Sequence, residues 1–405
     1  MRVLILTTAS LSTNPRLVKE LYILHLQHSV QVIVFGIGGW ADAVDEQFLE
    51  VFQQKQVIRL SANRKPLLPW LFSTVVQQFA IMLSSLLSDS LLLQALSHNK
   101  RSTLLIFFLL LKRKEFRFDL IICHTLGALY PGYILARKTG AKLAFDMEDY
   151  HPGEAIPTKR ADAERRRREY LLKKMLPHCA YVSFAADGYV ELTKKYITAN
   201  IPQPVVVYNS FPSNEFTTPQ PAQDKKIRFI WFSQTIGRGR GLELFFQAVR
   251  QAGVDYEITL IGQLNDRTFE AMLRQENHLT LLPPMPQQPL HHLLSQYDVG
   301  LSLELSCVDM NKNYALSNKL FAYLQAGLFV LATDTPGQKQ FLQRFPMHHL
   351  LCKQEVEDMC KAIQIIASAL SQIREQCLTR YHAARCIAWE HEQRKLQEAW
   401  NKILA

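Results

Sequence analysis

The sequence predicts an α/β fold built as two consecutive parallel-sheet halves, and three observations predict it. Short apolar strands alternate with helical stretches along most of the chain, the pattern of a parallel sheet with crossover helices. At 405 residues the chain exceeds what one ordinary core accommodates. Between the two alternating series runs FPSNEFTTPQPAQDKK, a proline-rich polar stretch that reads as a linker. Domains are therefore expected at 1–205 and 206–384, followed by an amphipathic helical tail. A hydrophobic share of 48% and a charged share of 20% fit a soluble globular protein.

In the first half, RVLILTT leads into a helix from about Pro15 to Gln27, VQVIVFG into a polar loop, and QVIRL into a long helical region. DLIICH, KLAFD and YVSFA are further strands, each followed by a helix, and PQPVVVYNS is a strand ending at Asn209. The first strand-to-helix turn, TASLSTNPR, has no glycine, so a dinucleotide fingerprint is absent there. Residues 67–88 carry no charge, and Ser73, Thr74, Gln77, Gln78, Ser84, Ser85 and Ser88 recur at close to helical period. That predicts a helix with one uncharged polar face and one apolar face. Burial in the domain or in a groove is the plain expectation, with an interfacial helix leaning on lipid as the alternative. So much serine and glutamine argues against a span, and LLIFFLLL at 104–111 is too short to be one.

The net charge of +10 is unevenly shared: residues 1–205 hold 26 Lys and Arg against 17 Asp and Glu, the remainder 20 against 19. The basic surplus sits in the first half, with clusters at 112–117 and from Lys159 to Lys174, including Arg165 to Arg168. Such runs ordinarily solvate a helix face. Their functional reading is attraction to anionic lipid headgroups or to a phosphate-bearing acceptor. Phe116 and Tyr170 are the single aromatic residues within them and no recognised binding module surrounds them, which disfavours nucleic acid. Seven cysteines without C-x-x-C spacing argue against a zinc site or a disulfide framework. MRVLILTTAS is read as mature sequence, and a cytoplasmic location is expected.

The second half runs IRFIWFS, YEITLIG, LTLLP, DVGLSLEL, LFVLATD and HHLLC, with a helix after each. Its first turn places Gly237, Gly239 and Gly241 between strand and helix, with Arg238 and Arg240 interleaved. Small residues admit an anion to backbone N–H groups, and arginine grips a phosphate through two donors. A second such start follows DVGLSLEL. That strand ends in Glu304, and after a polar loop a helix begins near Leu316 with Asn318 and Lys319 in its first turn, stopping at Gly327. In a parallel sheet both starts lie at the carboxyl ends of strands, where ligands bind. Together they predict a clamp for a diphosphate.

The pieces SQTIGRGRGLE, DVGLSLEL and LSNKLFAYLQAGLFVLATDTPG, with RVLILTT…NPRLVKEL, CHTLGAL and KLAFDMEDYHPGE in the first half, resemble the GT-B-fold glycosyltransferases, most of all the bacterial members of glycosyltransferase family 4. The resemblance covers nearly the whole chain. It implies two Rossmann-like domains facing across a cleft, with the final helix, from about 385 to 405, crossing back to the first. The nucleotide sugar would sit on the second domain and the acceptor on the first. By position, Arg240 and Lys319 are implied at the diphosphate, with Asn318, Ser233, Gly237, Gly239, Gly241 and Glu304 as donor-binding residues. His124 is implied at the sugar and acceptor end as a catalytic residue, and Asp146, Glu148 and Asp149 on an acidic, acceptor-binding loop. Where the family often carries a second glutamate facing the ribose, this chain has Ala322, which leaves Glu304 as a substitute.

The expected reaction moves a sugar from a nucleotide-diphosphate donor to a hydroxyl of a glycan or lipid-linked acceptor, with retention implied by the resemblance. No Asp-x-Asp pair ends a strand, so no metal and no cofactor beyond the donor are expected. An anionic membrane surface is an expected partner, at the inner face of the cytoplasmic membrane; nucleic acid is not. A non-catalytic chain that keeps the fold, which Ala322 favours, and a sugar-nucleotide epimerase on the same fold are the rival readings.

Overall fold

The computed structural model describes residues 1–52, 56–157, 160–197, 201–306 and 309–404. Lys159 of the second basic cluster and Cys307 lie outside them. The chain forms two compact units. The first comprises Met1–Ala185, Tyr189–Val207 and Lys395–Ala405, the second Ala186–Gly188 and Tyr208–Arg394.

The first unit is a parallel sheet of seven strands: β1 (Arg2–Thr7), β2 (Ser29–Gly36), β3 (Val57–Ser61), β4 (Leu120–His124), β5 (Lys142–Met147), β6 (Tyr181–Phe184) and β7 (Pro204–Val206), in the order β3-β2-β1-β4-β5-β6-β7. The second has six: β8 (Ile227–Ile236), β9 (Tyr256–Leu264), β10 (Leu279–Leu282), β11 (Val299–Ser302), β12 (Phe329–Thr333) and β13 (His349–Cys352), in the order β10-β9-β8-β11-β12-β13. Each sheet thus starts at its third strand, steps back to its first, then jumps to its fourth. This is the doubly wound Rossmann order, and it opens a crevice beside β1 and β8, where the winding reverses. The α/β class of two Rossmann-like domains is what the sequence predicts.

Continuous apolar runs become central strands because both faces are covered. Leu4, Ile5, Ile121, Ile122 and Phe145 are wholly buried in the first sheet. In the second, Phe229, Trp231, Leu301 and Leu331 meet Phe245, Val249 and Ile363 from the flanking helices. Helix Pro15–Gln27 starts where expected, with the Asn14 side chain accepting from the Leu17 N–H. Gly327, at φ +77°, follows helix Asn318–Gln325 in the left-handed conformation that the expected stop requires.

Three expectations change. The stretch after β2, read as a polar loop, contains a helix, Trp40–Val51. Its acidic residues hide an inward edge on which Asp45 is buried and accepts from the Ser12 N–H. The supposed linker is not a free tether. Its Phe211 exchanges two hydrogen bonds with the Gln325 side chain at 2.9 and 2.7 Å, and Glu215 meets His291 at 2.7 Å, so it belongs to the second unit. The helix Leu67–Ser84 does not bury its apolar face.

Candidate functional site

The site in the second unit is built on an irregularity in β8. Gly262 of β9 approaches so closely that a Cβ there would lie 2.4 Å from the Ser233 carbonyl oxygen. The pairing of β8 with β9 slips between Phe232 and Thr235, and such a slip re-aims side chains. Ser233, Gln234 and Thr235 then line a cavity of about 450 Å³, within the range that holds a small ligand. Arg240 and Lys319 line the same cavity, with Ser317 and Asn318. The two cations are 79 positions apart in the chain, and the fold places both on one wall.

The three glycines divide their work differently from the sequence reading. Gly241, at φ +79°, is where the chain passes Leu303: a Cβ would sit 2.6 Å from the Leu303 Cβ. The Gly239 N–H donates to the Glu243 side chain at 3.1 Å, so this donor is already engaged, and neither Gly237 nor Gly239 lines the cavity. Arg238 turns toward Asp266, 3.6 Å away. Arg240 instead donates to the Ser233 and Thr235 hydroxyls at 3.4 and 3.3 Å, which aims its guanidinium along β8.

Lys319 stands in the first turn of helix Asn318–Gln325, its ammonium 3.6 Å from the Glu304 carboxylate and 5.5 Å from the centre of the Trp231 ring. Burial lowers its pKa, Glu304 partly restores it, and the neighbouring Arg240 and Lys312 lower it further. Burial would raise the Glu304 carboxyl, but Lys319 and Lys312 outweigh it and hold the group below its ordinary value. Glu304 therefore positions Lys319 and is not on the cavity wall. Ala322 is wholly buried and lines nothing in the cavity. Asn318 accepts from Asn209 at 2.9 Å.

Away from the cations the cavity wall is mixed, with an apolar cluster beside polar side chains. Phe211, Phe232, Ile261, Met285 and Leu290 line it, with Gln287 and His291. His291 is fixed by Glu215 on Nδ1 and stacks on Phe216 with ring centres 4.6 Å apart. These residues come from four separate segments, and no local motif marks them. The nearest signal was PPMPQQPLHH after LTLL, at the carboxyl end of a predicted strand. Among the described residues, no three His, Cys, Asp or Glu side chains converge as a metal-holding set.

The site residues expected in the first unit are brought together, but in its interior. Arg16 donates to both oxygens of Asp146, at 2.9 and 2.6 Å, and to the Val207 carbonyl at 2.6 Å. Ser183 donates to Asp146 at 2.6 Å. His124 lies between two carboxylates, with Nε2 2.8 Å from Glu20 and Nδ1 3.4 Å from Asp146. Tyr181 donates to Glu20 and accepts from Trp400. Burial alone would lower the His124 imidazole, but Asp146 and Glu20 overcome it and raise the pKa to about 9. Against the same burial, Arg16 and His124 hold Asp146 far below the usual carboxylate range. With 2% exposure and both nitrogens facing carboxylates, His124 sits inside a buried ionic network and not at an open surface. Asp146 likewise is no acceptor-facing loop residue: it lies within β5 and is buried.

Glu148 and Asp149, just past β5, are half-buried. Burial and the adjoining Asp149 and Asp146 push the Glu148 carboxyl up to about 7, against the pull of Arg16 and His124. As pH rises from 4.5, its ordinary value, to about 7, the unfolded chain gives up this proton before the folded one does. Glu148 therefore costs stability progressively across that window. Thermal melts should show Glu148→Gln equal to the parent near pH 4.5 and more stable at pH 8, by on the order of 1–2 kcal/mol.

No model of a known protein family matches the chain, and no curated protein sequence matches it. Solved structures do. HepE of Anabaena in complex with UDP superposes with a TM-score of 0.69 at 14% identity, over 99% of this chain and 100% of that one. Sucrose-phosphate synthase of Thermosynechococcus elongatus gives 0.65 at 13% identity, over 100% of this chain and 99% of that one. The lipopolysaccharide outer core galactosyltransferase WaaB gives 0.63 at 11%, over 99% of each. At these identities the likeness is one of fold: the chain has, from end to end, the architecture of solved glycosyltransferases.

Proposed function

We propose that the chain is a glycosyltransferase that moves a sugar from a nucleotide-diphosphate donor to a hydroxyl of a glycan or lipid-linked acceptor. One observation carries the reading: Arg240 and Lys319 share the wall of a cavity that also presents an apolar cluster and several hydroxyl and amide groups. A diphosphate fits the cationic part, and a nucleobase fits among Phe232, Ile261 and Met285. As the glycosidic bond breaks, negative charge gathers on the departing diphosphate, and preorganised cations in a partly dry site stabilise it most at that moment. These cations suffice without a metal, and retention of configuration is the expected outcome. Gln234 and Gln287, the two glutamines on the wall, are placed to meet the ribose in place of a glutamate at Ala322. Glu148 and Asp149 are the acceptor-side carboxylates, His124 and Asp146 the frame behind them. The enzyme would act on cell-envelope or other polysaccharide at the inner face of the cytoplasmic membrane.

HepE was solved with UDP, so UDP is the first ligand to try, beside GDP. At about 100 times its dissociation constant a bound nucleotide stabilises by about 2.7 kcal/mol, visible as a rise in melting temperature. Arg240→Ala should erase that rise. Failure of every nucleotide diphosphate to raise the melt would remove the donor site from this cavity. A new sugar product from donor incubated without acceptor would instead identify an epimerase.

A further inference from the structure

Helix Leu67–Ser84 is packed inside out. Its buried residues are Ser73, Ala80 and Ser84, whereas Leu68 is 78% exposed, Phe72 47%, Phe79 59% and Met82 59%. A helix on a water-facing domain does the reverse. The apolar surface continues past the helix end to Leu86, 77% exposed, and onto Phe107 and Leu111 of the helix Lys100–Leu111. Phe72 and Phe107 touch, with ring centres 6.1 Å apart, which joins the two helices into one face. So large a contiguous apolar patch marks an interaction surface.

The first helix lies along its domain and does not project from it. Gln77 donates to the Ser97 carbonyl at 3.1 Å, and the Ser73 and Ser84 hydroxyls are bonded within the helix's own turns. The Ser73, Gln77 and Ser84 side chains are thus satisfied within the protein, so the outer face can enter an apolar medium. Charge then tells which medium. No Lys, Arg, Asp or Glu occurs from 67 to 88, yet Arg64 and Lys65 precede the patch and Lys112, Arg113 and Lys114 follow it. Arg64 and Lys100 flank the Trp70 ring at 5.7 and 5.6 Å, an amphipathic ring beside cations as at a lipid headgroup layer. Beside the C-terminal end of the helix opens a cavity of about 750 Å³ lined by Met82, Ser85, Arg160, Arg166 and Arg167, with one carboxylate, Asp89, among them.

We infer that this face of the first unit docks on an anionic phospholipid bilayer. The two helices lie in the plane of one leaflet, their apolar side chains enter the acyl layer, and the arginine-lined cavity takes a lipid phosphate. The inference deepens the membrane side of the proposed function but rests on the first unit alone, so loss of nucleotide binding would leave it standing.

Co-sedimentation of the full chain with phosphatidylcholine vesicles, with and without phosphatidylglycerol, tests it. Binding is expected to the anionic vesicles. Phe72→Ser/Phe79→Ser/Phe107→Ser should weaken it by more than about tenfold, since each phenyl group contributes apolar transfer energy. Lys112→Gln/Arg113→Gln/Lys114→Gln should lose roughly fivefold per cation removed, on anionic vesicles only. Arg166→Glu should act in the same direction. Unchanged melting of each variant shows that the fold survives. Absence of binding to either vesicle, or equal binding to both, overturns the inference. So does a lipid-free dimer dispersed by the three phenylalanine substitutions, which would assign the face to a second copy of the chain.

Discussion

Lys319→Ala is expected to lower turnover with the preferred nucleotide sugar by about 100- to 1,000-fold, the usual cost of removing one preorganised charge from a developing anion. The ammonium is sheltered between Glu304 and the Trp231 ring, and burial together with Arg240 disfavours its charge. A diphosphate supplies the missing counter-charge, so ligand and lysine stabilise each other. The loss should therefore fall mainly on the maximal rate, where charge on the leaving group is greatest, and less on ground-state affinity. The substitution also strands the Glu304 carboxylate, buried beside the vacated position. Lys319→Ala/Glu304→Gln separates the two effects: it should regain melting temperature without regaining turnover. Turnover of Lys319→Ala equal to the parent's would remove Lys319 from the reaction. Equal losses in the single and double variants, in both stability and rate, would make the pair merely structural.

The reach of sequence reading is visible at these same residues. Asn318, Lys319 and Gly327 form one helix with its start and stop, and Arg240 follows one strand, so local chemistry announced them. Gly241 was legible as a glycine turn, but its reason, the close pass of Leu303, belongs to the tertiary structure. The apolar wall was not legible. Phe211, Ile261 and Met285 come from a stretch read as a linker, a strand and a proline-rich turn, separated by dozens of residues and joined by no local motif. Residues 67–88 carry another lesson. Periodicity showed two faces, but it cannot say which faces inward, and here serine and alanine do. His124 and Asp146, expected at the open end of the cleft, stand in a buried ionic network instead. A polar residue at a strand end reads the same whether it opens to solvent or closes a buried ionic network. Only the partners Arg16 and Glu20, on helix Pro15–Gln27, decide between the two.

That network should dominate the stability of the first unit. Asp146→Asn leaves the Arg16 guanidinium buried without the carboxylate it is paired with, and breaking a buried pair costs about 3–5 kcal/mol. For a unit of this size the melting temperature should fall by about 10 °C. The pH dependence identifies the cause. His124 is raised to about 9, so its contribution is complete below its ordinary value of 6.5 and is lost as pH rises through 9. Asp146 is depressed, so its contribution is present above its ordinary value of 3.8 and is lost only as pH falls below it. The parent should thus be steady between these limits and weaken on the alkaline side. In Asp146→Asn, His124 keeps only Glu20, and the alkaline decline should move to lower pH. Arg16→Met/Asp146→Leu, which removes both charges, should recover much of the loss, because a buried pair replaced by apolar groups is often no less stable. Melts across pH, with the His124 imidazole followed by nitrogen-detected NMR, measure all three. A parent whose stability is flat from pH 6.5 to well above 9, or an Asp146→Asn protein within about 1 kcal/mol of it, would show that the ion network is incidental to the fold.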